Sequence, residues 1–469
     1  MKQRQQKKHW SAAGKPVVVA AVAAMISVAG ACASGETGAP MDFGVTQPNV
    51  VLISIDSLRA DHLGTYGYAR ETSPNIDSLA TQGVVFENTV SSSTWTLPAH
   101  ATMLSALNSR VHGLIDDGKK LDDAATLVSE VFQRSGWRTA AVVSGPYLNH
   151  RFGFAQGFDV YDDETVSFKN HPSSHQGSTS SKTHERALEL LDGFGGDPFF
   201  LFLHYWDVHY DYDPPSPFDT MFDPDYEGDI DARGFERSAA INRDMNPRDL
   251  EHVVALYDGE ITLVDMFLGR LFDELKRRDL WDETMVIVTA DHGDEFFEHN
   301  RKGHRKTLYR ETLQVPLVIK FPASRWAGER VPAISGVVDI TPTILEVAGF
   351  AGLRESNGRS LLPEMRGEAE PAVYFADLQG HLGAVMSDPL KLVRGRQRGS
   401  EINALFDMHA DPEEINDLAG QRTDDVDTLA TLLDRWIISS AALAAKVGSG
   451  EFEYGAELTE ALRSLGYLR

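Results

Sequence analysis

Asn49-Val50-Val51-Leu52-Ile53-Ser54-Ile55-Asp56 is the stretch on which the fold turns. A short run of β-branched and leucine side chains with little polar alternation is the pattern of a parallel strand buried on both faces. It ends on a carboxylate. The same grammar recurs at Met285-Val286-Ile287-Val288-Thr289-Ala290, which runs directly into Asp291-His292-Gly293-Asp294. Ligands of open α/β sheets gather at the carboxyl ends of the strands, so Asp56, Asp291 and His292 are candidate metal ligands. Their oxygen and imidazole donors suit Zn²⁺ or Mn²⁺. Gly293 would permit a tight turn between them. Taken alone, Asp56 reads equally well as the cap of the next segment.

A third element is Ser93-Thr94-Trp95-Thr96-Leu97-Pro98-Ala99-His100, followed by good helix formers from Ala101 to Leu107. Pro98 fits a first helical turn, which puts Thr96 just before a helix N-terminus, where the backbone favours negative charge. A hydroxyl there, close to a divalent cation, can ionise and attack sulfur or phosphorus. A plain N-cap is the commoner role for threonine at such a place.

Composition narrows the function classes. The chain has 469 residues, with Lys and Arg numbering 44 against 69 Asp and Glu, for a formal charge of −25. Such an acidic excess argues against a nucleic-acid partner, whose phosphate backbone demands clustered Lys and Arg. The single cysteine, Cys32, excludes internal disulfides and Cys-rich metal sites. Lys2, Arg4, Lys7, Lys8 and Lys15 precede an apolar stretch, Val17 to Ala31, that is short for a membrane span and suits a secretory signal. The small residues before Cys32 resemble a bacterial lipoprotein processing site, although Ala29 stands where leucine is usual. Residues 1–31 are thus expected to be a signal peptide and Cys32 a lipidated N-terminus, with an ordinary Ala-type cleavage nearby or an uncleaved anchor as the competing readings. Residues 32–48, rich in Gly, Ser, Thr and Pro, would be a tether, and the protein would be exported and held at a membrane by its lipid.

Taken together, the three elements resemble the sulfatase family of the alkaline phosphatase superfamily. Further likeness lies in Ser73-Pro74-Asn75-Ile76-Asp77, in Phe202-Leu203-His204-Tyr205-Trp206-Asp207-Val208-His209, and in Gln314-Val315-Pro316-Leu317-Val318. It extends from Asn49 to the C-terminus. The resemblance implies a central mixed, mostly parallel sheet flanked by helices over 49–367, and a smaller C-terminal subdomain with an antiparallel sheet over 368–469. It implies one divalent cation, Mn²⁺ or Zn²⁺ ahead of Ca²⁺, held by Asp56, Thr96, Asp291 and His292. Thr96 would be the nucleophile, with His209 and His304 handling protons. His100 falls where sulfatases carry an arginine, and His304, Arg305 or Lys306 would contact the anion or leaving group. The substrate class implied is an anionic ester on a glycan, a lipid or a small molecule.

Departures from the family pattern bear on the chemistry. Sulfatases place Cys or Ser in a C/S-x-P-S-R motif, where it is oxidised to formylglycine. Here Thr96-Leu97-Pro98-Ala99-His100 stands instead, and threonine cannot give that aldehyde. The Lys and His usual after the next strand are replaced by Ser144-Gly145-Pro146-Tyr147, and a second Asp after Asp56 by Ser57. These changes lean toward phosphorus esters, as in phosphodiesterases, phosphonate hydrolases or headgroup transferases. A surface lipoprotein that binds anions without turnover is the reading from another class.

The rest sorts into scaffold. Val264, Phe267, Leu268, Leu271, Phe272 and Leu275 have helical spacing within 249–276. Short strands are expected over 373–376, 382–386, 391–394 and 404–406, then a helix over 425–446. His171, His175 and His184 flank a serine-rich loop, His299 is expected on the surface, and 218–249 reads as an acidic loop, equally well near the cleft or merely on the surface.

Overall fold

The apolar run at 49–55 forms strand β1 (Asn49–Ile55), buried along its whole length, in a computed structural model that describes residues 43–164, 179–451 and 459. Residues 1–42 and 165–178, which hold the expected signal, Cys32, His171 and His175, lie outside the described residues. The other strands of the main sheet are β2 (Val84–Val90), β3 (Arg138–Val142), β4 (Val160–Asp162), β5 (Phe199–Tyr205), β6 (Thr284–Ala290), β7 (Gln314–Lys320) and β8 (Glu329–Gly336). Their order is β8-β2-β7-β6-β1-β5-β3-β4. Only β7 runs against its neighbours; every other pairing is parallel. The sheet is therefore mixed and mostly parallel. Strands β1, β5 and β6 are buried at every position, which is why they lack the alternation of a half-exposed strand.

Register then places the chemistry. Ile55 pairs with Ala290 on one side and with Tyr205 on the other. Residues 56, 291 and 206 consequently leave the sheet side by side at its carboxyl edge. Sequence separations of more than two hundred residues collapse to neighbouring strand ends.

Helices cover the sheet. These are α1 (Pro74–Gln82), α2 (Thr96–Ser105), α3 (Ser180–Gly193) and α4 (Pro247–Arg277). The six apolar positions from Val264 to Leu275 are all buried on α4. Every residue of α2 is buried, so the helix that carries Thr96 is held on all sides. His184 differs from expectation: it lies in α3, 8% exposed, with its ring 5.5 Å from that of Phe267. The apolar spacing of Ala187, Leu190 and Leu191 draws that face of the helix, His184 included, inward.

A separate antiparallel sheet of four strands follows: β9 (Val373–Leu378), β10 (Leu382–Ser387), β11 (Leu390–Gln397) and β12 (Ser400–Asp407), in sequential order. Helix α5 (Thr423–Val447) closes it, burying Leu429, Leu432, Leu433 and Trp436 against Val385, Leu392 and Leu405. Phe43, inside the expected tether, is buried with its ring 6.1 Å from Phe321 and 5.9 Å from Trp326. No helix of the described residues is long and apolar enough to cross a membrane.

Candidate active site

Three strand ends and one helix start converge at the carboxyl edge of the sheet. Asp56 follows β1 and Asp291 follows β6, both fully buried. Thr96 is the first residue of α2, not the residue before it, and Trp95 occupies the N-cap with no side-chain cap bond. The capping role for Thr96 therefore falls away: its hydroxyl donates to Asp56 Oδ2 at 3.3 Å.

The donor set of this group fits a divalent cation. His292 Nδ1 lies 3.1 Å from the Gly293 carbonyl, which can only accept, so the proton sits on Nδ1 and Nε2 carries a lone pair. That nitrogen is 3.3 Å from Asp291 Oδ2 and 3.7 Å from Asp56 Oδ1. Asp291 Oδ2 and His292 Nε2 are both buried without a hydrogen bond. Three lone-pair atoms facing one another in a dry interior repel unless a cation lies among them. Burial pushes the Asp56 carboxyl up to about 7 despite nearby His292. Burial and the neighbouring Asp56 do the same to Asp291, also to about 7. Among the described residues, the ion-pair partners of both carboxylates are all histidines.

The surrounding residues hold this arrangement. Ser57 donates from its backbone N–H to Asp291 Oδ1 at 3.2 Å and from its hydroxyl to Asp56 Oδ1 at 3.1 Å. It does so with φ at +60°, in the left-handed region. Gly293 is required for a reason other than the turn expected: a Cβ there would meet the Glu311 carbonyl oxygen at 2.1 Å.

The other residues expected at the site divide into those beside the group and those turned away. His304 lies with its ring 4.2 Å from that of His292, and its Nδ1 donates to Asp294 Oδ1 at 2.6 Å. Burial and the nearby His292 hold its imidazole well below the usual range. His209 is buried, stacked on Trp206 at 3.9 Å and 5.0 Å from His304. His100 instead braces the wall behind Thr96. Its Nδ1 donates to the Thr96 carbonyl and its Nε2 accepts from Ser54 Oγ, each at 2.9 Å. Fully buried, it has both ring nitrogens engaged and its Nδ1 lies 3.5 Å from Asp291 Oδ2, so it braces α2 against the candidate cation group. Arg305 turns to Asp117 at 2.7 Å, with its guanidinium 4.0 Å above the Trp95 ring. Lys306 pairs with Glu236 of the acidic loop and with the Lys302 carbonyl.

Two further side chains belong to the site. His204, on β5, reaches Asp56 Oδ2 with Nε2 at 3.2 Å, while its Nδ1 accepts from the Ser144 N–H at 3.4 Å. It stands beside Ser144, in the segment that lacks the family's Lys and His, and its one mark in the sequence is a histidine within an otherwise apolar strand. Asp294 orients His304 and also accepts from the Tyr212 hydroxyl at 2.6 Å. His299, expected on the surface, is mostly buried: its side chain is 12% exposed, 3.1 Å from Glu311, and stacked on Tyr309 at 3.6 Å. From His304 a cavity of about 430 Å³ opens outward past Tyr210 and Lys306 to the tips of the small sheet.

Comparison with known proteins identifies the family. The sulfatase family profile matches residues 48–350, and the N-sulphoglucosamine sulphohydrolase C-terminal profile matches residues 298–437. A multifunctional alkaline phosphatase superfamily protein, PehA, of Trinickia caryophylli is 26% identical over 80% of this chain and 92% of its own. An arylsulfatase of Clostridium perfringens is 25% identical over 79% of this chain and 90% of its own. The phosphonate monoester hydrolase of Agrobacterium radiobacter superposes with a TM-score of 0.69 at 21% identity, over 86% of this chain and 96% of that one, and shares the fold. The chain belongs to the sulfatase family, and it is a sulfatase-like ester hydrolase with the alkaline-phosphatase-like fold.

Proposed function

We propose that this protein is a metal-dependent hydrolase of sulfuric or phosphoric esters that uses Thr96 as its nucleophile. One observation carries the proposal: the Thr96 hydroxyl, at a helix N-terminus, faces the same buried group of Asp56, Asp291 and His292 whose donor atoms could hold a cation. Those three side chains, with Thr96, would hold one divalent ion, and an oxygen and nitrogen donor set of this kind suits Mn²⁺ or Zn²⁺ ahead of Ca²⁺. Bound there, the ion would supply Lewis-acid polarisation of the ester and of the hydroxyl.

The chain's own groups do the rest. Thr96 Oγ attacks the ester sulfur or phosphorus in line, and the bond to the leaving oxygen breaks as the new one forms. Backbone N–H groups at the start of α2 face the charge that builds on the other ester oxygens. His304, oriented by Asp294, and His209 stand where a proton reaches the leaving oxygen and where water is activated to clear the Thr96 ester. Export, with lipidation at Cys32, remains part of the proposal, and the substrate is an anionic ester on a glycan, a lipid or a small alcohol. The PehA relative and the phosphonate hydrolase neighbour support phosphorus esters beside sulfate.

The test is one panel on metal-reconstituted protein: aryl sulfate, phosphate monoester, phosphodiester and phosphonate monoester. Thr96→Ala should lower kcat on the reactive ester by at least about 10³-fold, the scale for losing a nucleophile. Turnover within a few-fold of wild type would end the nucleophile assignment.

A further inference from the structure

The cavity beyond His304 is lined by four cations, Arg301, Arg305, Lys306 and Arg398, against two carboxylates, Asp117 and Glu236. Two of the cations are already neutralised within the wall, Arg305 by Asp117 and Lys306 by Glu236. Arg301 and Arg398 make no ion pair among the described residues. Arg301 precedes the His304 segment on the main lobe, while Arg398 sits in the turn between β11 and β12, with φ at +49°. Two uncompensated guanidinium groups thus face one cavity from two different parts of the chain.

We infer that Arg301 and Arg398 form a subsite for a second anionic group, so that the substrate's leaving alcohol itself carries a sulfate, phosphate or carboxylate. This rests on the reading that the scissile ester lies at Thr96, with His304 at the junction of reaction centre and cavity. A guanidinium presents a planar fork that matches such anions with two parallel hydrogen bonds. The chain carries a charge of −25 overall, so a polyanion is repelled everywhere except where positive charge is left uncancelled. A volume of about 430 Å³ is within the range of small-molecule sites and exceeds what the scissile group alone would fill. A neutral leaving group would gain nothing from either arginine.

The test compares the mono-ester and bis-ester of one hexose, in whichever ester class the panel finds reactive: glucose 6-sulfate against glucose 3,6-disulfate, or fructose 6-phosphate against fructose 1,6-bisphosphate. In wild type the bis-ester should have kcat/KM about tenfold higher, with the gain in KM, as expected for one or two charge-assisted bonds. Arg301→Gln with Arg398→Gln should reduce that ratio to within about twofold, and Arg398→Lys alone should keep part of it. Equal wild-type values, or a ratio that survives in the double variant, would overturn the subsite. Calorimetry on Thr96→Ala gives the same comparison without turnover: the bis-ester should bind about tenfold more tightly than the mono-ester, and lose that margin when both arginines are replaced. If Thr96→Ala still hydrolyses the ester, the nucleophile assignment falls while the arginine ratio decides the subsite independently.

Discussion

At the residue scale the site is organised by carbonyl and carboxylate acceptors that fix histidine tautomers. The Gly293 carbonyl sets His292, the Thr96 carbonyl sets His100, and Asp294 sets His304. Outer partners of this kind decide which nitrogen faces the reaction. Asp294→Asn keeps the shape but lets the amide present its N–H₂ to His304 and Tyr212. We expect kcat to fall about 10–100-fold with KM little changed, checked by steady-state kinetics on the reactive ester. Asp291→Asn removes a charge from the cation group itself. Adding Mn²⁺ or Zn²⁺ to chelator-treated wild type, at about a hundred times its Kd, should stabilise the fold by about 2.7 kcal/mol. That thermal shift should vanish in Asp291→Asn, and an identical shift in both proteins would show that the ion binds elsewhere.

At the element scale, two contacts pin strands to their surroundings. Lys391 on β11 donates to both oxygens of Glu414, at 2.7 and 2.9 Å, and Glu414 also accepts from the Arg310 N–H at 3.0 Å. Both side chains of the pair are at most 3% exposed. Glu414→Ala leaves Lys391 charged, buried and unpaired, so stability should fall by about 3–5 kcal/mol in denaturant unfolding. Lys320, at the end of the lone antiparallel strand β7, donates to the carbonyls of Trp281 and Thr284 in a fully buried setting. Burial lowers its ammonium from 10.5 to about 8. Between these values the unfolded chain binds the proton and the folded chain does not, so this group adds stability as pH rises from about 8 to 10.5. Relative to Lys320→Met, wild type should gain stability across that window in parallel unfolding titrations.

At the scale of the whole molecule, the main sheet brings strand ends together at one edge and the small sheet supplies a turn that overlooks the same opening. The acidic loop before α4 reaches the same opening through Glu236, which neutralises Lys306 at the cavity wall. On the proposed reading, an acidic protein acting on an anionic ester relies on local positive charge, here the guanidinium groups of Arg301 and Arg398 at the cavity. Raising ionic strength should therefore weaken the advantage of a bis-ester over a mono-ester, measured as the ratio of their kcat/KM values, because the attraction of an exposed guanidinium such as Arg398 for an anion is screened first.

Much of this was legible in the chain itself. Continuous apolar runs identified β1 and β6, because strands buried on both faces have no polar positions to break them. The carboxylates that end those runs, Asp56 and Asp291, declared themselves for the same reason: a charge at the edge of a dry strand is conspicuous. What the linear order did not contain was register and depth. His204 and Ser54 lie inside strands, and only the pairing of β1 with β5 shows them reaching Asp56 and His100. His100, Arg305 and Lys306 looked alike as polar groups near the motifs. The tertiary structure separated them: His100 engages the Thr96 carbonyl one turn earlier and Ser54 on β1, while Arg305 and Lys306 find Asp117 and Glu236 in segments distant in sequence. Local chemistry announces a side chain's capability, whereas the neighbours that engage or release it are set by packing across the sheet.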